Sequence, residues 1–120
     1  MANVSTDVAQ LLNITCRKGD TFLLDMIFTD EGTGSAIDLT DFTFNMQVRK
    51  NTRAAELVLD INDSHFAKTI VGAMTITISA ADMDVPHGSY KYDIEATSSS
   101  DGSVRTWLYG WFNIKEDVTL

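Results

Sequence analysis

The residues of this sequence that could do chemistry are few and lie in separate segments. His65 and His87 fall in different predicted loops, and neither stands in an HxH or HExxH arrangement, the spacings with which histidines often hold a metal. Cys16 is the single cysteine, so it cannot form an internal disulfide, and no oxyanion motif accompanies it. The sequence therefore predicts no catalytic nucleophile or base, and Cys16 is expected to be a small buried or half-buried residue.

Two short acidic clusters offer oxygen ligands of the kind that calcium prefers. The segment "DINDSH" carries Asp60, Asn62 and Asp63, and "ADMD" carries Asp82 and Asp84. Neither continues to the glycine and the distal glutamate of an EF-hand loop, so solvated turns explain both better. No glycine-rich phosphate loop or GxSxG elbow is present either. We therefore expect a protein that is not an enzyme and that uses no metal and no cofactor.

The charge balance argues against nucleic acid as a partner. Seventeen acidic residues stand against nine basic ones, which gives a formal net charge of −8. Such a chain repels phosphate backbones, whereas nucleic-acid binders gather positive charge on one face.

The first residues, "MANVSTDVAQLLNI", lack the basic and apolar regions of a secretion signal, and no apolar run reaches the roughly 18 residues of a membrane span. Neither classical secretion nor a membrane partner is predicted.

Alternation of apolar and polar residues with a period of two dominates the chain, and this pattern predicts β-strands. The cleanest case is "FTFNMQVRK", in which Phe42 and Met46 share one side and Thr43 lies on the other. Comparable runs occupy residues 11–16, 20–30, 56–61, 73–79, 89–97 and 103–114. Asp101-Gly102 is a strong hairpin signal, so the last two strands are expected to pair antiparallel.

These strands, with turns between them and no long helix, predict an all-β fold in one domain of 120 residues. We expect an antiparallel immunoglobulin-like β-sandwich of about seven strands without a disulfide, with a small barrel as the competing arrangement. Ser79 can cap a helix, so at most one short helical turn is expected near residues 79–84. Residues 1–12 are predicted to form a flexible N-terminal arm, 13–116 the sandwich and 117–120 a short tail.

The last predicted strand, "SVRTWLYGWFNI", has apolar residues on both of its sides. Strict alternation places one set in the core: Val104, Leu108, Phe112 and Ile114. The opposite set then faces away from the core: Arg105, Trp107, Tyr109 and Trp111. Its aromatic side chains are covered by the arm or a loop, or belong to a strand buried on both faces, or form a binding surface. Because Trp, Tyr and Arg are enriched in binding hot spots, this set is the first candidate interface with a partner.

Two further features bear on this candidate interface. Gly110 interrupts the strand, and it marks either a close approach by a neighbouring group or a bulge that would turn Trp111 inward. The arm ends at Leu11 and Leu12, and such an arm can add a strand to the open sheet edge of a neighbouring subunit. Leu11 and Leu12 therefore complete the candidate interface residues.

The order of these segments resembles a known class of proteins. The runs "ITCRKGDTFLLDMIFTDEGTGSAIDLTDFTFNMQVRKN" and "GAMTITISAADMDVPHGSYKYDIEATSSSDGSVRTWLYGWFNI" are similar to small phage and prophage proteins encoded among virion structural genes. The shared elements are a "GDTF" opening, an "IDLT-F-F-M-VRK" strand, a "P-G-Y-YDIE" strand and a closing "DG" hairpin. The resemblance extends to the N-terminal domain of phage baseplate upper proteins and to tail-fibre-associated modules, and it implies an immunoglobulin-like β-sandwich.

This resemblance also implies a role. The chain would be a non-enzymatic virion protein of the tail, baseplate or fibre-attachment region, an adaptor or connector that contacts other virion proteins in a symmetric multi-copy assembly. As a virion component it would be synthesised in the host cytoplasm. Two alternatives stay open. One is a decoration or cement protein of the capsid, and the other is a carbohydrate-binding module that uses Trp107, Tyr109 and Trp111 as a platform for sugar rings.

Overall fold

Ten β-strands and two short 3-10 turns make up the described part of the chain, which in this computed structural model comprises residues 2–5, 9–30, 33–50 and 57–116. In chain order the strands are β1 (Ala2–Ser5), β2 (Gln10–Leu11), β3 (Ile14–Arg17), β4 (Phe22–Thr29), β5 (Phe42–Arg49), β6 (Leu57–Ile61), β7 (Phe66–Ile70), β8 (Ala73–Ile78), β9 (Gly88–Ser98) and β10 (Val104–Lys115). The 3-10 turns, Leu39–Asp41 and Asp63–His65, directly precede β5 and β7. Within these ranges, no helix is long and apolar enough to cross a membrane.

The strands form two sheets. The first has the order β1-β4-β8-β7, and the second has the order β10-β9-β5-β6, with β2 and β3 both pairing along the free side of β10. This is the strand order of immunoglobulin-type sandwiches, in which one sheet holds A, B, E and D and the other holds G, F and C with a further strand beside C. The predicted all-β sandwich is confirmed.

A tyrosine adds a second mark of this fold. Tyr90, near the start of β9, donates its hydroxyl hydrogen to the carbonyl of Pro86 at 2.6 Å. Immunoglobulin-type domains carry such a tyrosine corner at the start of strand F, where the bond returns to the backbone a few residues upstream. The bond fixes the entry of the chain into β9, the strand at the centre of the second sheet.

The N-terminal residues differ from the predicted flexible arm. Ala2–Ser5 pair with residues 26–29 of β4, and Gln10–Leu11 pair with Leu108 and Tyr109 of β10. Both pairings are parallel, as is the pairing of β3 with β10, so the antiparallel prediction does not extend to these strands. The segment thus contributes one strand to each sheet of its own chain. The predicted tail, 117–120, lies outside the described residues.

The structure adds one strand to those predicted and shows the predicted turn near residues 79–84. Phe66–Ile70 forms β7, a strand that the alternation pattern did not predict. Near residues 79–84 the chain makes one hydrogen-bonded turn and no helix: the Met83 N–H donates to the Ser79 carbonyl at 3.0 Å, and the Asp82 N–H donates to Ser79 Oγ at 3.2 Å. Ser79 therefore caps a turn, as its position predicted.

The core is apolar, since no polar or charged side chain among the described residues is buried. Its largest side chains with almost no exposure are Phe28, Phe112, Met26, Leu39, Met46, Met74, Ile76, Ile78, Met83, Ile94 and Leu108.

An aromatic cluster fills one part of the interior. The Trp107 ring centre lies 5.2 Å from that of Phe28, 5.0 Å from Phe42 and 5.4 Å from Phe44, and Phe66 lies 5.6 Å from Phe44. The rings around Trp107 are tilted or edge-on to it, the Phe44–Phe66 pair is stacked, and ring pairs at these distances add to the stabilisation from buried area.

Candidate functional site: the outer face of the second sheet

A β-bulge in β10 decides which residues of the closing strand face the core. Thr106 pairs with Glu95 and Leu108 pairs with Ile94, so Trp107 is an extra residue without a partner of its own on β9. Trp107 and Leu108 are consequently both buried, at 3% and 1% exposure. The prediction that Trp107 faces away from the core is wrong. One extra residue shifts the alternation by one position, so the residues on one side of the bulge point to the face opposite to the one that strict alternation predicts.

The same bulge exchanges the faces of the residues that precede it. Val104, predicted in the core, is 55% exposed. Arg105, predicted on the outer face, pairs with the buried Ala96, and directly paired residues point to the same face of a sheet. Arg105 therefore projects from the same face of the sheet as Ala96, but it stays exposed, and with Phe42 and Trp107 it lines an open pocket of ≈ 210 Å³.

Beyond the bulge the predicted alternation holds. The inward residues Leu108, Phe112 and Ile114 are buried as predicted. Tyr109 and Trp111 point outward and are 45% and 42% exposed, while Leu11 of β2 is the backbone partner of Tyr109 and is 62% exposed. We call these three residues, Leu11, Tyr109 and Trp111, the aromatic stripe. The stripe lies on the outer face of the second sheet, the face that points away from the first sheet.

Gly110 holds the aromatic stripe together through a close backbone approach. A Cβ atom on Gly110 would stand 2.6 Å from the Leu12 carbonyl oxygen and 2.9 Å from Asn13 Oδ1, and the residue has a φ of 153°, which favours glycine. The Leu12 N–H donates to the Tyr109 carbonyl at 2.9 Å, and the Trp111 N–H donates to Asn13 Oδ1 at 3.1 Å. Of the two predicted roles of Gly110, the close approach is correct. The bulge that would turn Trp111 inward is wrong, because the bulge lies at Trp107.

Leu12 is held differently from Leu11, although both are candidate interface residues. The Leu12 side chain is partly buried against the core, and its carbonyl accepts a hydrogen bond from the Tyr92 hydroxyl. Burial raises the pKa of Tyr92 far above its usual range, so this hydroxyl stays a protonated donor. The Tyr92 ring packs in turn against Phe112, with 6.1 Å between ring centres. Leu12 therefore anchors the N-terminal segment, while Leu11 projects beside Tyr109.

Charged side chains adjoin the aromatic stripe on β9 and β5. Lys91 Nζ lies 3.7 Å from the centre of the Trp111 ring, which is a cation–π contact. Burial raises the pKa of the half-buried Asp93, Glu95 raises it further by like-charge repulsion, and Arg49 acts in the opposite direction. The outer face thus combines exposed aromatic rings with charges of both signs, and aromatic residues within a polar surrounding are typical of protein-binding surfaces.

The other residues considered from the sequence make structural contacts. Asn62 Oδ1 lies 3.2 Å from Nδ1 of His65, and Asp63 accepts a hydrogen bond from the Phe44 N–H at 2.9 Å. Asp84 forms an ion pair with a lysine ammonium 2.8 Å away. These contacts support the interpretation of the acidic segments as turns. In the part of the chain that the structure describes, no group of three or more His, Cys, Asp and Glu side chains is arranged to hold a metal ion.

We predict that the thiol of Cys16 reacts slowly. Its Sγ donates to the Asn113 carbonyl at 3.7 Å, and burial, aided by the nearby Asp20 carboxylate, raises the pKa of Cys16 to about 11. Only the thiolate is nucleophilic, so at about pH 8 alkylation by iodoacetamide should be about 100-fold slower than for a thiol of ordinary pKa. Mass spectrometry of the alkylated protein gives the rate, with the urea-unfolded chain as the control. Equal rates in the native and unfolded chains would contradict the burial of this thiol.

The sheet order, the corner tyrosine and the packing of the two sheets define a β-sandwich of the immunoglobulin type. A scan of protein-family models and a search of curated protein sequences find no match. Among solved structures, the fold is similar to the N-terminal domain of phage TP901-1 ORF48, with a TM-score of 0.58 and 9% sequence identity over 94% of each chain. The NK cell receptor NKp44 is also similar, with a TM-score of 0.44 and 16% identity over 91% of this chain and 100% of that chain. Likeness at such low identity concerns the fold.

Proposed function

We propose that this chain is a non-enzymatic structural protein of a phage virion, in the tail, baseplate or fibre-attachment region, where it acts as an adaptor through protein contacts. The observation that carries the proposal is the aromatic stripe, an exposed apolar surface on an acidic domain whose fold recurs in a phage protein. Exposed apolar patches that are bordered by polar residues are typical of interaction sites. The sequence resemblance to virion proteins points the same way.

The aromatic stripe is held rigidly enough to serve a protein partner. Tyr109 and Trp111 project from β10, which pairs with β9 on one side and with β2 and β3 on the other. The backbone of a strand paired on both sides loses little freedom on binding, and Tyr and Trp have only two side-chain torsions to order, so less of the interaction energy is spent on ordering them. The net charge of −8 favours solubility of the separate copies before assembly.

The two alternative functions differ in how well they fit this surface. A three-ring sugar platform is not available, because Trp107 is 3% exposed and packs in the aromatic cluster. Sugar stacking would rest on Tyr109 and Trp111, and the Lys91 ammonium already lies over the Trp111 ring. A capsid decoration protein would use the same aromatic stripe, so it differs from the proposed adaptor only in its location.

Electron microscopy of phage particles that carry a labelled copy of this chain tests the proposal. We expect the label on the tail, at the baseplate or where fibres attach, at positions that repeat with the symmetry of the particle. Label confined to the head would show that the chain is a capsid decoration protein and not a tail adaptor. Particles that carry no label, although the labelled chain is abundant and folded in the cell, would refute a virion role.

The double variant Tyr109→Ser and Trp111→Ser should remain folded. Because both side chains are nearly half exposed, we expect a loss of only about 1–2 kcal/mol in the free energy of unfolding from reduced apolar burial and the lost cation–π contact. Urea denaturation monitored by far-ultraviolet circular dichroism measures this loss. A variant that is unfolded in buffer would place these rings in the core, and the aromatic stripe would not be a free surface.

A further inference from the structure

The strand register arranges the outer face of the second sheet in rows that run across the strands. One row, which we call the basic row, consists of Trp111, Lys91 and Arg49. The next row, the acidic row, consists of Leu11, Tyr109, Asp93, Gln47 and Asp60. In both rows the aromatic residue lies on β10 and the next residue, on β9, is charged. The two rows therefore match strand by strand, with charges of opposite sign on β9.

This arrangement is complementary to itself. Consider a second copy related by a two-fold axis that lies in the plane of the face and runs across the strands, between the two rows. Each strand then faces the same strand of the second copy with reversed direction, so that the basic row of one copy faces the acidic row of the other. Trp111 comes to lie over Tyr109 of the second copy, and Lys91 over Asp93 of the second copy. The symmetry of a two-fold interface makes each such contact occur twice.

We propose that the outer face of the second sheet binds a second copy of this chain face to face, with Lys91 of each copy paired with Asp93 of the other and the two aromatic stripes in contact. The proposal rests on the proposed function in so far as both use the aromatic stripe as a contact surface. Twisted sheets pack at an angle of about 30°, so the residues nearest the two-fold axis keep this register best. Lys91, Asp93, Tyr109 and Trp111 belong to the two rows that flank the axis.

The electrostatics of a single copy leave the acidic row in need of a cation. Within the described part of the chain, Asp93 forms no hydrogen bond and no ion pair. Its half-buried carboxylate is further disfavoured by the neighbouring Glu95, which is only partly offset by Arg49. Lys91, the cation on the same strand, extends toward the Trp111 ring. A lysine from a second copy would add a second positive charge beside Asp93, whose carboxylate Arg49 stabilises only in part.

The size of the face is adequate for a weak dimer. At about 3.3 Å per residue and about 4.8 Å between strands, the strands of the second sheet together give it an outer face of about 700 Å². Stable protein interfaces bury about 800 Å² per partner and range from micromolar to picomolar affinity, and for a face slightly below this size we expect the weak, roughly micromolar, end of that range. The repulsion between two chains of charge −8 acts over a long range, and physiological salt screens it beyond about 8 Å.

Sedimentation velocity of the full chain at physiological salt tests this proposal with a charge exchange. Lys91→Glu places two carboxylates opposite each other, and Asp93→Lys does the same with two ammonium groups. We expect each single variant to weaken the dimer at least about tenfold, and the double variant Lys91→Glu and Asp93→Lys to restore it to within about threefold. Asp25→Lys, on the exposed face of the first sheet, carries the same charge change as Asp93→Lys and should leave the dimer intact. Circular dichroism confirms that each variant is folded.

A wild-type chain that stays monomeric at about 100 times the expected dissociation constant would overturn the proposal, as would a double variant as weak as the single ones. This outcome is separable from failure of the proposed function. A monomeric chain that still enters particles through the aromatic stripe would refute the face-to-face dimer and leave the virion role standing. A charge-dependent dimer that is absent from particles would refute the virion role alone.

Discussion

Substitution of Trp107 by alanine is expected to destabilise the domain by about 4 kcal/mol, the usual cost of removing a large buried aromatic side chain. The Trp107 ring contacts Phe28, Phe42 and Phe44, which come from both sheets, so its loss leaves a cavity between the sheets. Domains of this size are stable by about 5–15 kcal/mol in total, and this single change removes a large part of that stability. Urea denaturation of the wild type and the variant measures the difference.

Two control variants make this prediction specific to the bulge. Trp107→Phe keeps a ring in the cluster and should cost about half as much. Trp111→Ala removes the same kind of side chain from the exposed face and should cost about 1 kcal/mol. If Trp107→Ala and Trp111→Ala destabilise the domain equally, the two tryptophans do not lie on opposite faces, and the position of the bulge is wrong.

The second large effect is expected from Gly110→Ala, which should lower the free energy of unfolding by about 3 kcal/mol. The added Cβ would meet the Leu12 carbonyl oxygen at 2.6 Å, and alanine would be strained at a φ of 153°. The Leu12 carbonyl cannot simply move away, because it also accepts the Tyr92 hydroxyl hydrogen. We therefore expect β2 to separate from β10, which would expose the amide of Leu12 to hydrogen exchange.

Gly102→Ala is the matched control for Gly110→Ala. Gly102 also has a positive φ, of +74°, but a Cβ there would have no atom within 4 Å. Its substitution should therefore cost only the conformational strain, about 1 kcal/mol. Equal losses for the two glycines would show that the close approach between Gly110 and the Leu12 carbonyl does not exist.

The alternating strands of this fold could be predicted because each has one apolar face. In β5 the inward Phe44, Met46 and Val48 alternate with partly exposed polar residues, and no other register buries the same set. Hairpin chemistry at Asp101-Gly102 similarly indicated the antiparallel pairing of β9 and β10, which the structure contains. These local signals determine where strands run and which face of most of them is buried.

The faces at the start of β10 could not be predicted from the same signal. Its residues are large and apolar on both sides, so inserting one extra residue at Trp107 leaves the pattern looking equally regular. Only the pairing with β9, which fixes Thr106 opposite Glu95 and Leu108 opposite Ile94, reveals the shift. The bulge exchanges Val104 for Trp107 in the core, and the larger ring fills the space among the phenylalanines.

Other elements depend on contacts that are remote in the sequence. Ala2–Ser5 alternates apolar and polar residues over only four positions, which is too short a run to predict a strand, and it becomes one because the edge of β4 offers backbone groups to pair with. The aromatic stripe likewise brings Leu11 beside Tyr109 through a parallel pairing across most of the chain length. The sequence predicted Leu11 and Tyr109 as interface residues from two different features, the arm and the closing strand, and only the sheet register shows that they are neighbours.

Incorporation into phage particles tests the central claim, a virion protein that acts through the aromatic stripe, most directly. Wild-type chain and the Tyr109→Ser and Trp111→Ser variant, distinguished by mass, are produced together in infected cells, and their ratio is measured in purified particles and in the cell. A control variant, Leu23→Ser, changes an exposed apolar residue of the first sheet. We predict that the stripe variant is depleted from particles at least about tenfold, while the control is incorporated at its cellular ratio. Equal incorporation of the stripe variant would contradict the proposed account.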